Sequence, residues 1–245
     1  MWPVLDFEVH EYRQRVKKVK ERMEQARMDV LVVADPSNMC YLTGYNAWSF
    51  YVPQALVVML EADEPFWLGR AQDALVGAKV TTWLSEENIL AYTDDYVHST
   101  IKHPMDYLAQ ILIQKGAAAK NIGMEMDAYY FSARAYVCLQ NGLPNANLMD
   151  ATNLVNWVRI IKSEREIQYM QRAALIVEQA MQTAVESIAV GVRECDAAAN
   201  IYKAQVTGTA EFGGDYPSIV PLLPSGEKTG APHLTWTDNR YKEND

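Results

Sequence analysis

The feature that most constrains the fold is short. Val30-Leu31-Val32-Val33-Ala34 is apolar at every position and rich in β-branched side chains, the composition of a buried strand. Ahead of it, between residues 8 and 28, apolar side chains fall at Tyr12, Val16, Val19, Met23 and Ala26, in alternating steps of four and three that place them on one helix face. Behind it, Asp35-Pro36-Ser37-Asn38 supplies turn chemistry that stops the strand. A surface helix feeding a buried strand needs further strands beside it. Candidates lie at 54–60, 66–68, 80–83, 89–92 and 121–126, with helical stretches at 71–79, 105–115 and 132–141 between some of them. This alternation predicts an α/β domain with a mixed sheet.

The pattern changes near Arg159. Ser163-Glu164-Arg165-Glu166 reads as a capping box, in which the Ser163 hydroxyl and the Glu166 carboxylate satisfy free N–H groups at a helix start. Apolar residues then recur at Ile167, Met170, Ala174, Val177, Met181, Ala184 and Ile188 until Gly191. A second helix, from Arg193 to about Val206, repeats the pattern with Cys195, Ala198, Tyr202 and Val206 and ends at Gly208. Two domains are therefore expected, 1–158 and 159–245. Beyond Gly208, the prolines 217, 221, 224 and 232 each hold the preceding residue extended, so strands and loops are expected there. Residues 218–223 would begin a sheet that the polar end, Arg240-Tyr241-Lys242-Glu243-Asn244-Asp245, does not complete. The second domain thus reads as unfinished.

With 49% apolar residues over 245 positions the chain can fill a core. Its formal charge of −9 is spread along the chain, and the one basic cluster, residues 13–20, alternates with Glu11 and Glu21 as a solvated helix face would. Nucleic acid is not an expected partner. Residues 1–10 carry Asp6 and Glu8 where a secretory signal would be basic and then apolar. The longest apolar runs, 30–34 and 55–60, fall far short of the roughly 20 residues a membrane span needs, so a soluble protein is expected. Cys40, Cys138 and Cys195 are far apart and lack metal-ligand spacing, which fits a reducing cytoplasm better than a disulfide framework or a zinc site.

No GxSxG elbow, GxxxxGK[ST] phosphate loop, GxGxxG turn or HExxH helix is present. His10 sits at the start of the first helix, and His98 and His103 flank a loop with no helical face to bring them together. His233 stands in Gly230-Ala231-Pro232-His233-Leu234-Thr235-Trp236, where a rigid backbone could aim an imidazole into a cleft or simply bond it to a loop carbonyl. Phe212-Gly213-Gly214-Asp215-Tyr216-Pro217 suits either a ligand-approaching backbone or an ordinary loop. Residues 41–51 hold five aromatics, Tyr41, Tyr45, Trp48, Phe50 and Tyr51, enough for a cage around a delocalised cation or for a packed core or interface.

The run Asp35-Pro36-Ser37-Asn38-Met39-Cys40-Tyr41-Leu42-Thr43-Gly44-Tyr45 resembles the N-terminal domain hallmark of the creatinase, prolidase and aminopeptidase P family. So does the junction Val158-Arg159-Ile160-Ile161-Lys162-Ser163-Glu164-Arg165-Glu166-Ile167, with Ala173-Ala174 after it. Within that family, Trp48-Ser49-Phe50-Tyr51, Gly213-Gly214-Asp215-Tyr216-Pro217, Pro221-Leu222-Leu223-Pro224-Ser225-Gly226 and Ala231-Pro232-His233-Leu234-Thr235-Trp236 are similar to the ectoine hydrolase branch. The resemblance covers essentially the whole chain.

It implies a creatinase-like α/β N-terminal domain followed by the first part of an α+β pita-bread domain, and a homodimer in which one subunit's N-terminal domain reaches the other's site. His233 falls on the family's active-site histidine, and Trp48, Phe50, Phe212, Gly214, Asp215 and Tyr216 become candidate substrate contacts. The reaction implied is hydrolytic opening of the cyclic amidine ectoine or hydroxyectoine, with no cofactor. An Xaa-Pro aminopeptidase would instead carry two divalent metals (Mn, Co or Zn), and a non-catalytic binding module is the third alternative. The family's metal ligands and catalytic glutamate lie further along than Asp245, so a truncated and impaired chain is expected. The creatinase branch carries an arginine just after a phenylalanine matched by Phe50; Val52 occupies that place here, which makes creatine a weaker substrate.

Overall fold

The computed structural model describes residues 4–245. The chain divides into two compact units, one ending at Ile161 and one running from Lys162 to Asp245.

In the first unit, α1 (Val9–Gln25) buries Tyr12, Val16, Val19 and Met23, the residues that the helical spacing selects. It leads into β1 (Val30–Val33), every residue of which is buried. The remaining strands are β2 (Ala55–Met59), β3 (Phe66–Arg70), β4 (Ile89–Tyr92), β5 (Asn121–Met124) and β6 (Asn147–Asp150), in the order β4-β3-β2-β1-β5-β6. The sheet is mixed: β1 runs antiparallel to β2 and parallel to β5, and the β3–β4 and β5–β6 pairs are parallel. Leu31 and Val33 face one apolar cluster with Leu56, Val58 and Trp67, while Val30 and Val32 face another with Ala55, Val57, Phe66 and Ile122. Because both faces are covered, β1 shows no apolar–polar alternation.

Helices cover the two faces. Residues of α1, α2 (Pro36–Thr43) and α6 (Leu154–Arg159) join the first cluster, and those of α4 (Pro104–Gln114) and α5 (Ala133–Gly142) join the second. The turn chemistry after β1 proves to be a helix start. The Asp35 carboxylate accepts from the N–H groups of Ser37 (2.8 Å) and Asn38 (3.1 Å), and Pro36 takes the first helical position, where a missing N–H costs nothing.

Polar groups close both ends of the β1–β5 pair. At one end, Asn121 N–H donates to Asp29 Oδ2 (2.8 Å). At the other, Ala34 and Asp35 N–H donate to Glu125 Oε2 (2.8 Å each), and Asn38 Nδ2 donates to Glu125 Oε1 (2.6 Å). Asn38 Oδ1 in turn accepts from Arg159 (2.7 Å).

Three local expectations are corrected. Residues 80–83 are not a strand: a helical segment with a π-helical stretch (Asp73–Ala78) continues through α3 (Lys79–Thr81). The hydroxyls of Thr81 and Thr82 donate back to the carbonyls of Gly77 (2.8 Å) and Ala78 (2.7 Å), which lets β-branched residues finish a helix. The basic stretch 13–20 is not wholly solvated. Arg15 is buried, donates to Tyr41 O (2.9 Å), pairs with Glu11 and lies 4.0 Å from the Phe7 ring centroid. Residues 218–223 form no strand, because no described segment pairs with them.

In the second unit, α7 (Glu164–Ser187) starts at the capping box. Ser163 Oγ accepts from Glu166 N–H (3.2 Å) and Glu166 Oε2 from Ser163 N–H (2.8 Å). It packs on α8 (Glu194–Thr207), yet only Ala180 of α7 is buried. The chain returns at 237–241 to the start of α8, where Thr237 O and Asn239 O accept from the N–H groups of Cys195 (3.0 Å) and Glu194 (2.9 Å).

Candidate functional site

Each unit carries part of the candidate set. In the first, the five aromatics of 41–51 divide by environment. Tyr41 and Tyr45 are core residues, Tyr45 with its ring centroid 4.8 Å from that of Trp67. Trp48 and Tyr51 are 63% and 51% exposed, and the Trp48 ring lies 4.9 Å from Phe50 and 6.2 Å from Tyr51. Tyr130 joins them, 5.4 Å from Phe50 edge-on. Its only sequence signal is the local aromatic run Tyr129-Tyr130-Phe131. The loop is pinned from below by Ser49, a buried hydroxyl that donates to the Asp73 carboxylate. These rings form an open aromatic surface, a geometry that accepts a planar cation on π faces. Val52, which follows, is buried.

His103 has a different task. Its Nδ1 accepts from Met105 N–H (3.1 Å) and caps α4, and burial, followed by the nearby Arg134, pushes its pKa below the ordinary imidazole range. His98 stands on the same loop with a positive φ of 52°.

In the second unit, Phe212, Gly214, Asp215 and Tyr216 share the loop after α8. Thr209 N–H donates to Phe212 O (2.8 Å) and Gly214 N–H to Val206 O (3.1 Å), folding that loop onto the helix end. A Cβ on Gly214 would lie 1.9 Å from Gln205 O, so packing alone demands glycine there. Phe212 is half-buried, with the Arg172 guanidinium 5.6 Å from its ring centroid. Asp215 and Tyr216 are exposed. His233 is also exposed, and its imidazole has no hydrogen-bond partner among the described residues. Nearby, Trp236 meets Tyr202 edge-on at 5.9 Å. No hydrogen bond or ring contact among the described residues joins the Phe212–Tyr216 loop to His233.

Sequence reasoning missed Glu194. Its side chain is wholly buried and accepts from Ser225, Lys228 and Thr237. Among the described residues, no group of three or more His, Cys, Asp or Glu side chains is arranged to hold a metal ion. The described residues do not by themselves build a metal centre. No helix among them is long and apolar enough to cross a membrane.

Residues 15–161 match the model of the creatinase/prolidase N-terminal domain. The chain belongs to the creatinase/prolidase family. Residues 168–245 match metallopeptidase family M24, so the second unit is the start of an M24 domain. Among curated relatives of this creatinase/prolidase chain, the ectoine hydrolase of Halomonas elongata is 48% identical over 98% of the chain and 61% of its own length. A Sinorhizobium fredii protein named as an uncharacterized hydrolase/peptidase is also 48% identical, again over 98% of the chain and 61% of its own length. The chain thus spans about three fifths of the length of these relatives. Among solved structures, a prolidase from Thermococcus sibiricus superposes with a TM-score of 0.75 at 18% identity, covering 94% of this chain and 58% of that one. A dipeptidase from Mycobacterium ulcerans gives 0.74 at 20% identity, over 96% and 58%. At that identity the likeness is one of fold, the pita-bread fold of the prolidases.

Proposed function

We propose that the full-length protein is a hydrolase that opens the ring of a cyclic amidine, ectoine or hydroxyectoine, to an N-acetylated diaminobutyrate. One observation carries this reading: the 48% identity kept over 98% of the chain with the Halomonas elongata ectoine hydrolase. The chemistry of the exposed groups supports it. The ring amidinium is a delocalised cation, and Trp48 and Phe50 offer it π faces. Asp215 offers a carboxylate to the same charge, with Phe212, Gly214 and Tyr216 around it. Water adds to the amidinium carbon, the bond from that carbon to one ring nitrogen breaks, and the departing nitrogen takes up a proton. An imidazole can hand a proton to a departing nitrogen, and His233 takes this role. The group that attacks or delivers the water belongs, by the family resemblance, beyond Asp245. The same resemblance supports a cytoplasmic homodimer that degrades a compatible solute, with Trp48 and Phe50 reaching the partner's site.

The match of residues 168–245 to a metallopeptidase family favours a second reading, metal-dependent cleavage of Xaa-Pro dipeptides. One assay separates the two. The full-length protein is given ectoine, then an Xaa-Pro dipeptide, each with and without a chelator. Chelator-resistant release of N-acetyl-diaminobutyrate supports the first reading. Metal-dependent dipeptide cleavage without ectoine turnover supports the second, and no turnover of either substrate points to a binding module. In the active enzyme, His233→Ala is expected to lower kcat at least about a hundredfold, as loss of general acid catalysis does. Near-normal turnover of that variant would sink the assignment.

A further inference from the structure

A single buried carboxylate holds both ends of the segment that carries His233. Glu194, at the first turn of α8, is 0% exposed. Its Oε1 accepts from Ser225 Oγ (2.6 Å) and Lys228 Nζ (2.7 Å). Its Oε2 accepts from Lys228 Nζ (2.8 Å), Thr237 N–H (2.5 Å) and Thr237 Oγ1 (2.8 Å). Lys228 and Thr237 bracket residues 229–236, with His233 between them. Inside the bracket the backbone bonds are local, Ala231 N–H to Lys228 O (2.9 Å) and Leu234 N–H to Ala231 O (3.3 Å), and the outward anchor is the Trp236–Tyr202 ring contact.

We propose that Glu194 is a positioning residue: it ties the two feet of the His233 segment to one point and so fixes where the imidazole stands. This deepens, and rests on, the role given to His233 above. Burying the Glu194 carboxylate is expensive even beside the partly exposed Lys228 ammonium, and an apolar side chain of the same volume would fill the space without that cost. What such a side chain cannot do is fix Ser225, Lys228 and Thr237 at hydrogen-bond distance. A proton donor displaced by about 1 Å loses on the order of a hundredfold in rate, so placement is worth that cost. Burial pushes the Glu194 carboxyl up, but the Lys228 ammonium, the Ser225 hydroxyl and the two Thr237 donors outweigh it and hold the group at about 2. The clamp therefore stays ionised throughout the range in which an imidazole titrates.

The test uses the full-length enzyme with Glu194→Gln, which keeps size but turns one acceptor into a donor facing other donors. The variant is expected to lower kcat for ectoine at least about tenfold while KM stays within about twofold. The same substitution made in His233→Ala should change kcat by less than about twofold, because a residue that acts through His233 has nothing left to position. Losses that multiply in the double variant would overturn the proposal. Hydrogen exchange of amides 229–231 and 233–236 should speed at least about tenfold in Glu194→Gln, with α7 unchanged; unaltered exchange there would also overturn it. If His233→Ala itself turns over normally, the parent reading falls, and the exchange measurement still decides the clamp. Should Glu194→Gln fail to fold, Lys228→Met releases one foot alone and carries the same expectations.

Discussion

Glu125 is a carboxylate that the fold makes costly to ionise. Burial pushes its pKa up, against the hydrogen bonds from Asp35 N–H, the Asn38 amide and Ala34 N–H that pull it down. In the unfolded chain a glutamate titrates near about 4.3. The folded state therefore binds this proton more tightly, so the stabilisation is complete below the unfolded pKa and is lost as pH rises through the folded one. Compared with Glu125→Gln, the wild type should lose stability as pH climbs from about 4, measured by urea unfolding of both proteins across pH. A difference between them that is flat with pH would show that the carboxylate does not titrate as argued. Neither this network nor the burial of Arg15 was legible in the sequence. Arginine is normally a surface residue, and position 15 sits at the edge of the Tyr12–Val16–Val19 stripe. The Glu11 carboxylate, the distant Tyr41 carbonyl and the Phe7 ring make its burial tolerable. Glu194 was hidden in the same way, since a glutamate in a first helical turn reads as a dipole partner, and its real partners lie 31 to 43 residues on.

At the scale of elements, α2 shows how one signal can serve two structures. Asp-Pro-Ser-Asn stops a strand whether a turn or a helix follows, and only the local geometry decides. The other end of α2 is stricter. Gly44 has a φ of 87°, and a Cβ there would lie 2.6 Å from Thr81 O. Gly44→Ala should destabilise the first unit by about 2–3 kcal/mol, the left-handed cost plus a backbone contact that must open, seen as a lowered urea midpoint. An unchanged midpoint would mean that the loop near Thr81 gives way freely. The long helices and the buried strands were legible because period and composition agree there. β6 was not, since it is a half-exposed edge that pairs through polar Asn147 and Asn121 and lacks an apolar run. Residues 80–83 misled because β-branched residues favour strands until their hydroxyls find carbonyls one helical turn back. The candidate contacts on the loop after α8 rest on family likeness, and Gly214 shows why spacing leaves them open: packing against Gln205 O is sufficient reason for its glycine.

For the whole molecule, the first unit has covered both faces of its sheet, while the second leaves a stripe of α7 bare. Ile167, Met170, Val177, Met181 and Val185 all stand exposed, Val185 at 69%. Contiguous apolar surface of this kind drives association. The 245-residue chain should therefore bind a hydrophobic dye and self-associate, and Met181→Glu should reduce both, read by fluorescence and by size-exclusion chromatography. A monomer that ignores the dye would contradict this. The polar ends of the β1–β5 pair bear on a slower process, the drift of sequence over generations. A strand that is apolar at every position has no alternation to penalise a one-residue slide. Asp29 and Glu125 stand at its two ends as stops. Between them aliphatic residues of similar volume can be exchanged at small cost, while the alignment of the sheet stays in the keeping of two acids that no hydrophobic neighbour can replace.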